Sequence, residues 1–144
     1  MTESRVPERY EHTFPVVAAE IDELGHVNNT VYLRWVQDIA VAHWRASAPA
    51  EAQETLAWVV ARHEIDYKHP ARLGDEIRAL TWVGPASRLA FERNTEIFRA
   101  RDDRLLAKAR TIWVPIDPAT GRPVEVPPDV RDRFSVPGDL ERPA

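Results

Sequence analysis

The 144-residue sequence has no cysteine. A thiol nucleophile, a disulfide and a thiolate-ligated zinc site are therefore excluded, and the lack of thiols fits a reducing compartment. No run approaches the ~18 consecutive apolar residues of a membrane-spanning helix. The first residues, MTESRVPERYEH, lack the apolar segment of a secretion signal. Together these absences point to a soluble cytoplasmic protein. There is no basic excess either. Nineteen Lys and Arg against 23 Asp and Glu give a net charge of -4, which argues against a nucleic-acid partner. A local basic patch can still hold an anionic ligand against the global sign. The nucleophile elbow G-x-S-x-G is missing, as are the phosphate-binding loop and the dinucleotide fingerprint. His63-Glu64 lacks the second histidine of H-E-x-x-H. No internal repeat or low-complexity segment interrupts the chain.

What is present has a simple order. His12 to Glu20 reads as a strand, with Pro15 hinting at an edge or a bulge. A turn-rich segment, IDELGHVNN, leads to Asn28, Asn29 and Thr30, all residue types that cap helices. Val31 to Ala48 reads as a helix. Tyr32, Val36, Ile39, Ala40 and His43 recur at helical spacing, Val31, Trp35 and Ala42 widen the stripe, and Pro49 ends it. An acidic loop, APAEAQE, follows. Four strands come next, at 58–67, 76–83, 89–99 and 105–116, with turns at Gly84-Pro85 and Asp102-Asp103. One or two helical turns are expected within 126–134, with loose ends at residues 1–10 and in the tail SVPGDLERPA. There is no strand–helix–strand alternation, so a doubly wound parallel sheet is not expected. The expectation is one α+β domain over residues 1–144, with about five strands and one helix of ~27 Å across them. Such a sheet leaves an open edge, which dimerisation would cover.

The segment richest in chemistry is Glu20 to Leu33. Asp22 sits on a turn with Gly25, seven residues before Asn29 at the start of the helix. A carboxylate there can face free backbone N–H groups at the positive helix end. Such N–H groups can hold a developing oxyanion, while the carboxylate attacks or activates water. The plainer alternatives are common ones. An Asp before a helix is most often a cap or loop residue, and a glycine such as Gly25 often serves only a positive φ. His26 alone is more often structural than a base.

The pattern Asp22-x-x-Gly25-His26-Val27-Asn28-Asn29-x-x-Tyr32-Leu33, followed by a long helix, resembles the 4-hydroxybenzoyl-CoA thioesterase-like branch of the hot-dog superfamily. A second block, Trp58 to Asp75, supplies that family's strand, tyrosine, Pro70-Ala71 and Gly74-Asp75 turn. The ending from Ile116-Asp117-Pro118 to Arg122-Pro123-Val124 is also similar, so the resemblance runs from about residue 11 to 134. It implies a hot-dog fold and an acyl-CoA thioesterase, releasing free acid and CoA. Asp22 takes the position of the catalytic aspartate, as nucleophile or general base. Asn29 takes the position whose backbone N–H contacts the thioester oxygen. Gly25, His26, Asn28 and Tyr32 match further positions of the motif and, with Val27, make up the expected substrate-binding set. Arg88 is the first candidate for the CoA phosphates, with a solvated turn residue as the equal alternative. Coenzyme A belongs to the substrate, and no metal or other cofactor is implied. A homodimer or homotetramer is expected, with no nucleic-acid or membrane partner.

The sequence departs from the family twice. Glu20 stands where a second aspartate is frequent, and Gln37 where the helix often carries an acidic residue. The rival readings are a hot-dog hydratase, a non-enzymatic acyl-CoA-binding domain, and a hydrolase of acyl carrier protein thioesters.

Overall fold

A computed structural model describes residues 7–135. Five strands form one antiparallel sheet: β1 (Arg9–Pro15), β2 (Ala57–Tyr67), β3 (Glu76–Ser87), β4 (Ala90–Arg99) and β5 (Arg104–Ile116). Their spatial order is β1-β3-β4-β5-β2, so β1 and β2 are the edges. Helix α1 (Asn29–Ser47) is followed by two short helices, α2 (Ala50–Thr55) and α3 (Pro128–Phe134). This is the α+β architecture, one long helix wrapped by an antiparallel sheet, that the resemblance implies.

Strict alternation drives β4 and α1 together. Phe91, Arg93, Thr95 and Ile97 are buried, while the residues between them are half-exposed. Along α1 the expected stripe is buried at Val31, Tyr32, Trp35, Val36, Ile39, Ala40 and His43, while Ala42 is only half-buried. The core has two parts. Around the first half of α1, Val31, Tyr32, Trp35 and Ile39 pack with Ile77, Ala79, Ile97 and Leu106. Around the second half, Ala40 and Trp44 meet Phe91, Trp113, Val130 and Phe134.

Several boundaries differ from expectation. The first strand starts at Arg9 and stops at Pro15, and Ala18–Glu20 forms a 3-10 turn instead of continuing it. Proline has no N–H to extend a ladder. Gly84-Pro85 is not the hairpin turn. Strand β3 runs through it with a register shift between Val83 and Ala86, and the chain reverses at Arg88-Leu89. The segment read as an acidic loop contains α2, which is too short to show an apolar stripe. Of the expected loose ends, residues 1–6 and 136–144 lie outside the described residues, whereas Arg9 and Tyr10 belong to β1 and Ser135 is buried, its hydroxyl donating to the Gly84 carbonyl at 2.8 Å.

Candidate active site

The Asp22 loop is a small hairpin closed by backbone bonds. Ile21 and Val27 form an antiparallel bridge. The Asp22 N–H donates to the His26 carbonyl at 2.8 Å, and the Gly25 N–H donates to the Asp22 carbonyl at 3.0 Å. Gly25 takes φ +79°, a backbone region where a side chain is strained, so glycine closes this turn. The Leu24 N–H donates to Asp22 Oδ1 at 2.9 Å, which fixes the rotamer of the half-buried carboxylate.

Two more bonds fasten the hairpin to the body. The Asn28 N–H donates to the Glu20 carbonyl at 2.9 Å, and the Val27 N–H to the Ala71 carbonyl at 2.8 Å. Tyr32 completes the clamp from inside the core: its hydroxyl, on a residue only 2% exposed, accepts the Ala71 N–H at 2.9 Å. Burial raises the Tyr32 pKa, so the hydroxyl stays protonated. Val27 is equally buried. These two residues of the motif therefore hold the loop to the connection between β2 and β3, with their side chains turned away from solvent.

The helix start explains the two asparagines. Asn28 is the N-cap, with Oδ1 accepting from the Thr30 N–H at 2.9 Å and from the Thr30 hydroxyl at 2.7 Å. Its carbonyl accepts the Val31 N–H at 2.9 Å. The cap thus uses the N–H groups of Thr30 and Val31. Asn29 is the first helical residue, and its N–H has no acceptor within the helix. The positive end of the helix dipole lies at the same place.

Neighbours that sequence reasoning did not single out complete the surroundings. The Tyr67 hydroxyl donates to the Asn29 carbonyl at 3.2 Å, across 38 residues of chain. Arg72 Nη2 lies 3.3 Å from His26 Nε2, which gives the loop an exposed cation. The signal for both was the Tyr67-to-Asp75 block, since the Ala71 clamp lies within it. Leu24, Leu73 and Tyr67 leave apolar surface exposed around the loop. Arg88 stands apart. It lies in the β3–β4 turn, at the far end of the 12-residue β3 from the Asp22 loop, and its side chain is 3.8 Å from Glu125.

The two departures from the family pattern resolve differently. Glu20 is buried and structural: Oε1 accepts the Val17 N–H at 3.0 Å, and Oε2 pairs with Arg34. Gln37 is exposed on the outer face of α1, beside Asp38, which pairs with Arg34 at 3.8 Å. Among the described residues, no three His, Asp or Glu side chains gather as a metal site, and no helix is long and apolar enough to cross a membrane.

This loop-capped helix under a wrapped sheet is shared with known proteins. The family described as the thioesterase-like superfamily matches residues 16–134, and the chain belongs to it. A thioesterase of Thermus thermophilus, solved with coenzyme A and Zn, is 27% identical with a TM-score of 0.75, over 85% of this chain and 94% of that one. The 1,4-dihydroxy-2-naphthoyl-CoA thioesterase of Synechocystis has the same fold, with a TM-score of 0.74 at 22% identity, over 83% of this chain and 90% of that one. The chloroplast palmitoyl-acyl carrier protein thioesterase of Gossypium hirsutum is 21% identical over 131 residues, 85% of this chain. The oleoyl-acyl carrier protein thioesterase of Coriandrum sativum is 32% identical over 92 residues, 63% of this chain. The chain spans between 20% and 32% of the length of the plant relatives it matches.

Proposed function

We propose that this protein is a thioesterase that hydrolyses an acyl-CoA thioester to the free acid and CoA. The observation that carries the reading is local. A carboxylate with a fixed rotamer sits on a hairpin that runs into the N-cap of α1, and the N–H of the next residue, Asn29, has no intrahelical acceptor. The thioester oxygen would accept from the Asn29 N–H, and the helix end would stabilise the charge that develops there. Asp22 acts on the carbonyl carbon in one of two ways. As a nucleophile it forms a mixed anhydride, releases the CoA thiolate and is regenerated by water. As a general base it takes a proton from the attacking water and passes it to the leaving sulfur. Arg72 beside His26 is an exposed cation at the loop for an anionic part of the carrier. The coenzyme A in the Thermus thermophilus structure supports CoA as the carrier. The carrier-protein names of the plant relatives supply the second reading, an acyl carrier protein substrate.

The site would be completed in a homodimer. Edge strand β2 is 11 residues long and exposes Val59 and Tyr67. Pairing antiparallel with a second copy about its middle would bury those side chains and continue the sheet. A thiol-release screen over aromatic, short-, medium- and long-chain acyl-CoAs, with matched acyl carrier protein thioesters, tests the function. Turnover on the CoA thioesters is expected. Release from carrier protein alone would replace the carrier, and no release from any thioester would end the reading.

A further inference from the structure

The second half of α1 covers a cavity of about 280 Å³ that the Asp22 loop does not touch. Its walls include Trp44, Trp58, Phe91 and Trp113. The rings brace one another: Trp58 stacks on Phe91 at 4.9 Å and meets Trp44 edge-on at 5.3 Å. A cavity of about 150 Å³ lined by apolar groups admits a benzene ring, so this volume admits an acyl body of one or two rings, or a folded alkyl chain.

The polar side chains on its wall, besides the indoles, are Arg45, Gln53 and Arg93. Among the described residues the indole N–H groups of Trp58 and Trp113 have no partner, but both nitrogens are closed off from the open space of the cavity. Arg93 is only 3% exposed. Its Nη1 donates to His43 Nδ1 at 2.9 Å and to Thr81 Oγ1 at 3.2 Å, both neutral acceptors. His43 in turn donates from Nε2 to Glu8 at 2.7 Å. That donor order requires a neutral imidazole. Burial, and then the charge of Arg93, push the His43 pKa down to about 4. Burial lowers the Arg93 pKa to about 10, which leaves the guanidinium charged at neutral pH. No residue lining the cavity is acidic, and among the described residues no carboxylate forms an ion pair with Arg93. A buried cation without an anion is costly. The missing complement is an anionic oxygen within an apolar body.

We propose that this cavity binds the acyl part of the substrate and selects acyl groups whose far end carries a carboxylate. The carboxylate accepts from Arg93, while the apolar body lies between the tryptophan and phenylalanine rings. The proposal deepens the thioesterase reading by naming its substrate class, and it uses the β2 dimer to bring the two sites together. Within one chain, Asn29 and Trp44 are 15 residues apart on α1, about 22 Å along its axis. Pairing of β2 about its middle instead places Trp58 near the partner's Tyr67, and so near the partner's Asn29.

Tryptophan fluorescence reads occupancy directly, because three of the five tryptophans line the cavity. The ligands are matched CoA thioethers, S-alkyl and S-(ω-carboxyalkyl), of short to medium chain length, titrated against the full chain. Thioethers are not hydrolysed, so the result does not depend on catalysis. The carboxylated member should bind at least about tenfold tighter at one chain length or more, the scale of a charge-assisted hydrogen-bonded contact. Arg93→Met should abolish that preference. Arg93→Gln keeps a donor for His43 without the charge and should also lose the preference, and it serves if the methionine variant does not fold. Equal affinity within every pair, or a preference unchanged in whichever of the two arginine variants folds, overturns the proposal. If the preference holds while no acyl-CoA is hydrolysed, the catalytic reading fails and the binding assignment stands.

Discussion

The two ends of α1 are built from opposite materials. At the start, the proposed working groups are a carboxylate and a backbone N–H, over a closed core that mixes Val31 and Ile39 with the rings of Tyr32 and Trp35. Polar groups there find partners within a few residues, through the Asn28 cap and the hairpin bonds. In the second half, the packing is aromatic, a cavity remains, and buried donors outnumber their acceptors. One helix thus carries an end whose side-chain groups are held by local bonds while one backbone N–H stays free of the helix ladder, and an end where buried donors lack acceptors. Local hydrogen bonds can fix a reacting group, whereas selectivity needs groups held unsatisfied by distant parts of the fold.

The sharpest break of this comparison is at Asp22. Asp22→Asn should cut turnover by at least ~10² and leave thioether binding in the cavity unchanged, since the amide keeps the size of the side chain and the Oδ1 acceptor of the Leu24 N–H while losing the charge. Thiol release and fluorescence titration measured together check it, and near-wild-type turnover would remove Asp22 from the mechanism. Asn29→Pro comes next, because it deletes the N–H itself. Position 29 is the first of the helix, where proline is tolerated, and Asn28 already sits at ψ 141°, as a residue before proline requires. Loss of ~10²–10³ in turnover with an unchanged circular dichroism spectrum is expected. A folded variant with full activity would show that the oxyanion is held elsewhere.

The second half of the helix should respond to pH instead. His43 is neutral in the fold, with a pKa of about 4, and takes up a proton at its ordinary 6.5 when unfolded. Its contribution is complete above that value and is lost as pH falls toward 4, worth about 3 kcal/mol in all. Glu8 acts in the same direction. Burial raises its pKa, but the hydrogen bonds from His43 and Ser47 and the charge of Arg133 outweigh that and leave it below the usual carboxylate range. Melting temperatures between pH 7 and 4 should therefore fall more steeply for the wild type than for His43→Gln, and parallel slopes would refute the assignment. The smallest effect expected is at the cap. Asn28→Ala should cost about 1 kcal/mol in urea unfolding, with the cavity's preference intact.

Half of this contrast could be read from the sequence. The Asp22 hairpin, its glycine and the cap occupy consecutive residues, so their pattern survives in one dimension. The α1 stripe was visible for the same reason, because burial repeats along the helix. The cavity gathers Trp44, Trp58, Phe91, Arg93 and Trp113 from α1, β2, β4 and β5. No spacing links them, and nothing in the sequence sets these tryptophans apart. Tyr32 shows the same limit at the other end, since its partner Ala71 lies 39 residues away. Gly84-Pro85 misled for a different reason: a turn-forming pair also suits a bulge inside a long strand.

The clamp beneath the hairpin has a consequence for how such a site can change over time. Val27 and Ala71 are joined main chain to main chain, and the side chains around them at Glu23, Leu24, Arg72 and Leu73 all face solvent. Replacing those side chains leaves the Val27–Ala71 bond intact, and with it the position of Asp22. The rim around the carboxylate is therefore open to variation while the carboxylate stays in place. On the proposed reading, the surface that meets the thioester carrier is free to change by substitution while Asp22 keeps its place.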